Sequence, residues 1–423
     1  MRTWMPASLL LAAVLVQGCG GGTNGAGSSQ QPAAVAPGGN VQAITVSSGP
    51  TGQFPNMVLT SVTICVPGTS TCQTIPNVQV DTGSSGLRLL ASAVTIALPG
   101  VNSSATGQSV SECAGFADGV VWGALARADV KLGGELAASV SLQLIRDNAV
   151  GVDIPSSCSA QGPAEDTLAL LGANGILGVG LFLQDCGDYC AANADAVYYV
   201  CAPGQDCTPS ALPTSAQVSN PVAFFPQNNN GVILQLPAIA ANGAASAAGS
   251  MVFGIGTQSN NNLAAAVIDV PGSGATAGTF NALYGGTVYP NSMFDSGSSG
   301  LYFDDAGIPT CPSNSPAGDL SSYFCPGTSN APSAVPINVT ITGSNGLAVA
   351  VSVSVANAQF LVTQADAASL NAFANLAGPA GATLPGSFDF GVPFFFGKAV
   401  YTAFEQRSTP NGAGPYFAFE AYP

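Results

Sequence analysis

From about residue 54 onward, short apolar runs alternate with clusters of Gly, Pro, Asn and Ser. NMVLTSVTICV, VQVDTG, ADVKLGG, AASVSLQLI, GVILQLP, GSMVFGIG, INVTITG and LAVAVSVSVANAQFLV are rich in β-branched residues, and many alternate with period two. Alternation puts successive side chains on opposite faces of an extended backbone, so these runs predict strands joined by hairpins. One stretch, QADAASLNAFANLA, predicts a short helix. The apolar segment AIAANGAASAAGSMVF is interrupted by Asn and Gly and is too broken to span a bilayer. The pattern predicts an all-β body with few short helices.

The first part of the chain has a different character. MRTWMPASLLLAAVLVQGCGGG sets Arg2 ahead of an apolar run to Val16 and ends in small residues at Cys19, which predicts a secretory signal over residues 1–19. The ending VQGC resembles the lipobox of bacterial lipoproteins. That resemblance implies lipidation of Cys19 and an exported lipoprotein of the bacterial cell envelope, with the outer membrane as its destination. The N-terminal lipid is then the only membrane contact expected. Residues 20–53 are Gly, Ser, Ala, Pro, Gln and Asn-rich with no charge, and predict a flexible tether.

Charge narrows the partners. The chain has 423 residues, of which only 7 are Lys or Arg against 22 Asp or Glu, for a net charge of −15. The basic residues are scattered, whereas electrostatic binding of nucleic acid needs clustered cations. Nucleic acid is excluded as a partner. The length suits two bodies of ordinary size, taken here as 54–220 and 221–423.

With Cys19 set aside, ten of the 11 cysteines remain, an even number in an exported chain. Short separations favour Cys65 with Cys72, Cys201 with Cys207, and Cys311 with Cys325. Cys186 with Cys190 is then available, leaving Cys113 for Cys158. The sequence contains no His and no Cys-x-x-Cys pair, so disulfides are expected rather than a metal site.

Candidate chemistry comes from a repeat. VDTGSSGLRLL, from Val80, returns as FDSGSSGLYF, from Phe294. ANGILGVG follows the first copy and FDFGVPFFFG the second, with Gly178 standing 97 positions after Asp81 and Gly391 96 after Asp295. An apolar strand followed by Asp, a hydroxyl residue and Gly holds a carboxylate at a tight turn. Two symmetry-related copies allow Asp81 and Asp295 to face one another. Two unit charges about 4 Å apart at an effective dielectric near 20 repel by roughly 4 kcal/mol, or about three pKa units, so such a pair shares one proton. The charged member can deprotonate a water while the protonated member polarises a carbonyl. This apparatus hydrolyses peptide bonds without metal, cofactor or histidine. The missing histidine excludes Ser-His-Asp and Cys-His arrangements.

These motifs resemble those of pepsin-like aspartic peptidases, from roughly Asn56 to Tyr422. The resemblance implies a bilobal acid-protease fold: two pseudo-symmetric β-lobes with a cleft between them, few helices, and an extended peptide or protein as substrate for a monomer. Asp81 and Asp295 would be the catalytic pair, with Thr82 and Ser296 bracing the loops. Gly83 and Gly297 would permit the turns, and Ser84 would support the first Asp. NGILGVG and GVPFFFGKAVYTAFE are similar to the segments beneath the two aspartates. GFADGVVWGALARADVKLGG is similar to the family's flap hairpin, with Phe116 where a Tyr is usual. Phe116 is read either as a core side chain or as a cover over an apolar substrate side chain. Asp118 reads as a turn residue, with an acidic flap tip as the alternative. Arg88 stands where the family commonly has an aromatic residue, and reads as solvated or salt-bridged. Two functions remain open: endopeptidase action, or a surface lipoprotein that holds peptide or glycan in the cleft without turnover.

Overall fold

The computed structural model describes residues 39–147, 153–203, 205–314, 319–328, 334–364 and 369–422. The expected signal and Cys19 lie outside these residues. Strands dominate, and the helices are few and short. In the first half the strands are β1 (Val41–Ser47), β2 (Met57–Cys65), β3 (Cys72–Asp81), β4 (Ser85–Leu90), β5 (Ser109–Gly115), β6 (Val120–Leu132), β7 (Glu135–Ile145), β8 (Gly175–Val179), β9 (Tyr198–Cys201) and β10 (Thr208–Pro209). The second half begins with β11 (Gly231–Leu236), β12 (Ala247–Phe253), β13 (Ile268–Asp269), β14 (Phe280–Tyr284), β15 (Thr287–Phe294), β16 (Leu301–Tyr302) and β17 (Ala334–Thr342). It continues with β18 (Ala348–Ala356), β19 (Ala377–Gly378), β20 (Asp389–Phe390), β21 (Lys398–Ala403), β22 (Ser408–Thr409), β23 (Gly412–Ala413) and β24 (Tyr416–Ala421).

A 15-stranded sheet runs in the order β10-β9-β5-β6-β7-β4-β8-β3-β2-β1-β12-β11-β21-β24-β13. A seven-stranded sheet runs β18-β17-β14-β15-β20-β16-β19. The same local pattern occurs once in each. β3 pairs in parallel with β8, which pairs antiparallel with β4, which in turn lies parallel to β7. β15 pairs in parallel with β20, which pairs antiparallel with β16, which lies parallel to β19. Asp81 ends β3 and Asp295 follows β15, so the sequence repeat is also a repeat of strand pairing.

The core is aliphatic near the first motif and aromatic near the second. Val78, Val80, Leu87, Leu89, Leu177 and Val179 are fully buried beneath the first turn. Beneath the second, Phe294 stacks on Phe394 with centroids 4.5 Å apart, and Phe388 stacks on both Phe303 and Phe390. Burying such rings supplies large apolar area, and their mutual contacts add to it.

All five disulfides join the expected partners: Cys65–Cys72, Cys113–Cys158, Cys186–Cys190, Cys201–Cys207 and Cys311–Cys325. Two other expectations need correction. The tether expected over 20–53 is not a tether from Val41 to Ser47, which is β1 and lies between β2 and β12. Val41, Ile44 and Val46 are buried, so three apolar side chains on one strand outweigh the Gly- and Ser-rich surroundings that suggested a coil. Of the helix expected over QADAASLNAFANLA (364–377), residues 365–368 lie outside the described residues and 370–377 are not helical; an α-helix stands just before the stretch, at Ala358–Thr363. Asn357 ends the β-run and caps this helix by accepting from the Phe360 N–H at 3.0 Å, whereas Ala372 bridges to Ala244 and Ala377 begins β19. Among the described residues no helix is long and apolar enough to cross a membrane.

The placement of β1 is directly testable. Ile44→Ala, at a site only 2% exposed, is expected to destabilise the fold by about 2–4 kcal/mol in denaturant titration. A tether at this position would leave the midpoint unchanged.

Candidate functional site

The two Asp-hydroxyl-Gly turns meet. Each carboxylate is held by its own turn in the same way. Asp81 Oδ1 accepts from the N–H groups of Gly83 (2.8 Å) and Ser84 (3.2 Å), and its Oδ2 accepts from the Ser84 hydroxyl. Asp295 Oδ1 accepts from Gly297 N–H at 2.7 Å, and its Oδ2 from the Ser298 hydroxyl at 2.8 Å. Donors aimed at a carboxylate fix its orientation and keep both oxygens on one side of the turn.

The turns are locked together by the residues after each Asp. Thr82 N–H donates to Ser296 Oγ (3.1 Å), and Ser296 N–H donates to Thr82 Oγ1 (2.9 Å). Each hydroxyl then passes its own proton across: Thr82 to the Phe294 carbonyl at 3.0 Å, Ser296 to the Val80 carbonyl at 2.8 Å. Both side chains are buried, so breaking one of these bonds would leave a polar atom stranded. Gln79 Nε2 adds a further crossing bond, to the Gly297 carbonyl at 2.8 Å.

The result is close approach of two carboxylates. A Cβ on Gly297 would stand 2.7 Å from Asp81 Oδ1 and 2.9 Å from Asp295 Oδ1. A Cβ on Gly83 would stand 2.6 Å from the Asp295 carboxyl carbon. Both turns need glycine for this reason, since any side chain would occupy the space between the acids. Asp295 is pushed well above the usual carboxylate range by desolvation, then by the charges of Asp81 and Asp389, and by a hydrogen bond with Asp81. Ionising both carboxylates at this separation carries a Coulomb cost. Among the described residues neither aspartate is in an ion pair.

The expected hairpin stands over the first turn. β5 and β6 pair antiparallel, and Phe116 N–H donates to the Gly119 carbonyl at 2.8 Å to close the loop. Asp118 is exposed at the tip, as a turn residue should be. Phe116 is half-buried, packs near Leu90, Ala114, Val121 and Ile145, and also lines a cavity of about 390 Å³. Thr82, Gly83 and Ser84 line the same cavity from one side, and Met293 and Phe417 from the other. Phe116 thus packs on apolar neighbours, as a core side chain would, and also borders the open space beside the first turn.

Arg88 is salt-bridged and buried, only 2% exposed. Its Nη2 lies 2.6 Å from Glu112 and 3.1 Å from Asp185, while Nη1 donates to the Ser85 carbonyl. The Tyr198 hydroxyl donates to Asp185, and the Arg88 Cζ lies 5.8 Å from the Phe116 ring centre. Desolvation would lower the Arg88 pKa, but Glu112 and Asp185 more than reverse this. Asp185 is raised well above the usual range by desolvation and by Glu112, with Arg88 opposing. Two carboxylates thus share one guanidinium directly under the hairpin.

Four parts of the site escaped sequence reasoning. Ser298 occupies the same place in its motif as Ser84, so the repeat could have named it. Asp389 stands in FDFG where the first half has Ile176 in GILG, another difference visible on alignment of the two halves. Glu112 and Asp185 are 24 and 97 positions from Arg88, and no local pattern marks them.

Residues 36–419 match the family described as Protein of unknown function (DUF3443), and the chain belongs to that family. No curated protein matches the chain.

The buried cluster gives a prediction with a sign. Arg88→Met leaves two carboxylates without their cation and is expected to cost about 3–5 kcal/mol near neutral pH. Asp185 already has a folded pKa above its unfolded value, so its support for folding is complete at low pH and is lost as pH rises through the folded pKa. Removing Arg88 extends that loss. Denaturation midpoints should show the variant closest to wild type in acid and falling away steadily as the medium becomes neutral.

Proposed function

We propose that the chain is an exported, lipid-anchored aspartic endopeptidase-like protein of the pepsin-like kind. In this reading two pseudo-symmetric β-lobes, over about 41–220 and 221–423 and joined through β1, flank a cleft that takes an extended peptide. The observation that carries it is the facing pair Asp81 and Asp295, locked by the reciprocal bonds of Thr82 and Ser296. Like charges this close are costly, and a fold gains nothing from aligning them without a proton to share.

The chemistry follows from the shared proton. A water between the two carboxylates gives a proton to the charged one as its oxygen bonds to the substrate carbonyl carbon. The protonated partner meanwhile donates to the carbonyl oxygen. Proton transfer to the amide nitrogen then lets the C–N bond break, and the dyad returns to one proton. Ser84 and Ser298 hold the outer oxygens, so neither carboxylate can rotate away from the water. Phe116 covers an apolar substrate side chain from the hairpin, and the cavity beneath it receives that side chain.

A second reading, binding of peptide or glycan without turnover, is favoured by Phe116, which offers no hydroxyl to the substrate. One experiment separates the two. Purified wild type, Asp81→Asn and Asp295→Asn are incubated with an unfolded protein over about pH 3 to 8, with and without a pepstatin-type inhibitor. Each Asn variant is expected to lose at least about a hundredfold in kcat. Equal cleavage by all three proteins would overturn the peptidase reading. Tight peptide binding by wild type with no turnover, unaltered by either replacement, would establish the second.

A further inference from the structure

The two motif halves are built on one register, and at one position of it the second half buries a carboxylate. In the first half Ile176 of β8 lies opposite Gln79 of β3 and Arg88 of β4. In the second half Asp389 of β20 lies opposite Met293 of β15 and Tyr302 of β16. The strand positions correspond, yet an aliphatic side chain in one half is a carboxylate in the other. Asp389 is 1% exposed, and its Oδ1 has no hydrogen-bond partner. Ile176 demonstrates that this backbone accepts an apolar residue, which would avoid the desolvation cost of a buried acid. The carboxylate is kept where the fold does not need it.

Its neighbours indicate what it does. The titratable groups that bear on Asp389 are Asp81 and Asp295 from the two turns and Tyr302 from β16, none of them a cation. The strand that carries Asp389 is bonded to both ends of the second turn, Asp295 N–H donating to the Phe390 carbonyl at 3.1 Å and Val392 N–H to the Ser298 carbonyl at 2.9 Å, while the Ser298 hydroxyl donates to Asp295 Oδ2 at 2.8 Å. Among the described residues no three acidic, His or Cys side chains converge in a way that could hold a metal ion, so the trio is not a cation cage.

We infer that Asp389 is a positioning residue of the dyad, acting through its charge from the strand beside the second turn to keep the shared proton on Asp81 and Asp295 up to higher pH than two carboxylates alone would allow. This rests on the peptidase-like reading of that pair. The physical reason is coupling. Once Asp389 is ionised, loss of the last dyad proton places three charges in one desolvated pocket. While Asp389 keeps its proton, its own ionisation competes for the same range. Desolvation, moderated by Ser298 and augmented by Asp81, pushes Asp389 up to about 7, so the competition falls near neutral pH.

The test uses Asp389→Asn, nearly isosteric, and Asp389→Ile, which copies Ile176. Carbon-13 NMR of aspartate-labelled protein follows the dyad titration without requiring turnover, and kcat/KM on an unfolded protein is measured across the same range. In either variant the last ionisation of the dyad is expected about one pH unit lower than in wild type. At pH 7 kcat/KM should fall about tenfold, with less than about a twofold change well below the wild-type limb. A folded variant with an unchanged dyad titration would overturn the inference, as would an equal loss of activity at every pH. If wild type shows no turnover that depends on Asp81 and Asp295, the peptidase reading fails, and the NMR titration still decides the role of Asp389. Near-UV circular dichroism identifies which variant is folded, and the Ile form serves if the Asn form is not.

Discussion

Everything at the centre of this protein depends on two hydroxyl groups, each of which both accepts from and donates to the backbone of the opposite strand end. Thr82 and Ser296 make four buried bonds across the meeting of two turns, each hydroxyl both donating and accepting. A network of this kind is stronger than its members taken singly, because each bond polarises the next and none has water to replace it. It sets the separation of the two carboxylates before any electrostatic term is counted. Repulsion between them cannot push the turns apart, since movement would strand four polar groups in a dry environment. The proton has to adjust instead of the backbone.

Similarity of backbone and difference of chemistry coexist in the two halves. Beneath Asp81 the partner strand carries Ile176 and the neighbouring one Arg88, whose charge is consumed by Glu112 and Asp185. Beneath Asp295 the same positions are Asp389 and Tyr302. One aspartate therefore sits over an aliphatic floor with a neutralised ion cluster to the side. The other sits over a buried acid. The symmetry-related turns impose equal geometry on unequal floors, and the buried acid lies under Asp295, the aspartate whose pKa is pushed up.

Much of this was legible where the signal was local or repeated. The period-two runs located most strands, and short cysteine separations supplied partners for the loops. The doubled motif pointed to the meeting of Asp81 and Asp295, because a repeat carries long-range information that a single segment lacks. Failures have physical causes of the same kind. β1 was lost in a Gly- and Ser-rich stretch, since only its partners β2 and β12 give Val41, Ile44 and Val46 a reason to be extended. The helix at Ala358–Thr363 was not anticipated because it starts from Asn357, a single capping residue ahead of the alanine-rich stretch that drew attention. The Arg88 cluster was invisible because ion pairs far apart in sequence leave no periodic trace.

The position of β1 also bears on the order in which the molecule can be assembled. Val41 pairs with Val252, and Asn40 bonds to Phe253 through both backbone and side chain. The earliest strand among the described residues must wait for more than two hundred residues before its second edge is covered. Such pairings close long loops and form late. Until then the apolar face of β1 and its unsatisfied backbone groups are open to other strands, and this is the interval in which a nascent chain is most exposed to mispairing. The segment least conspicuous in the sequence is thus a latch: it completes the central sheet by joining strands from both halves, and it can do so only after both exist.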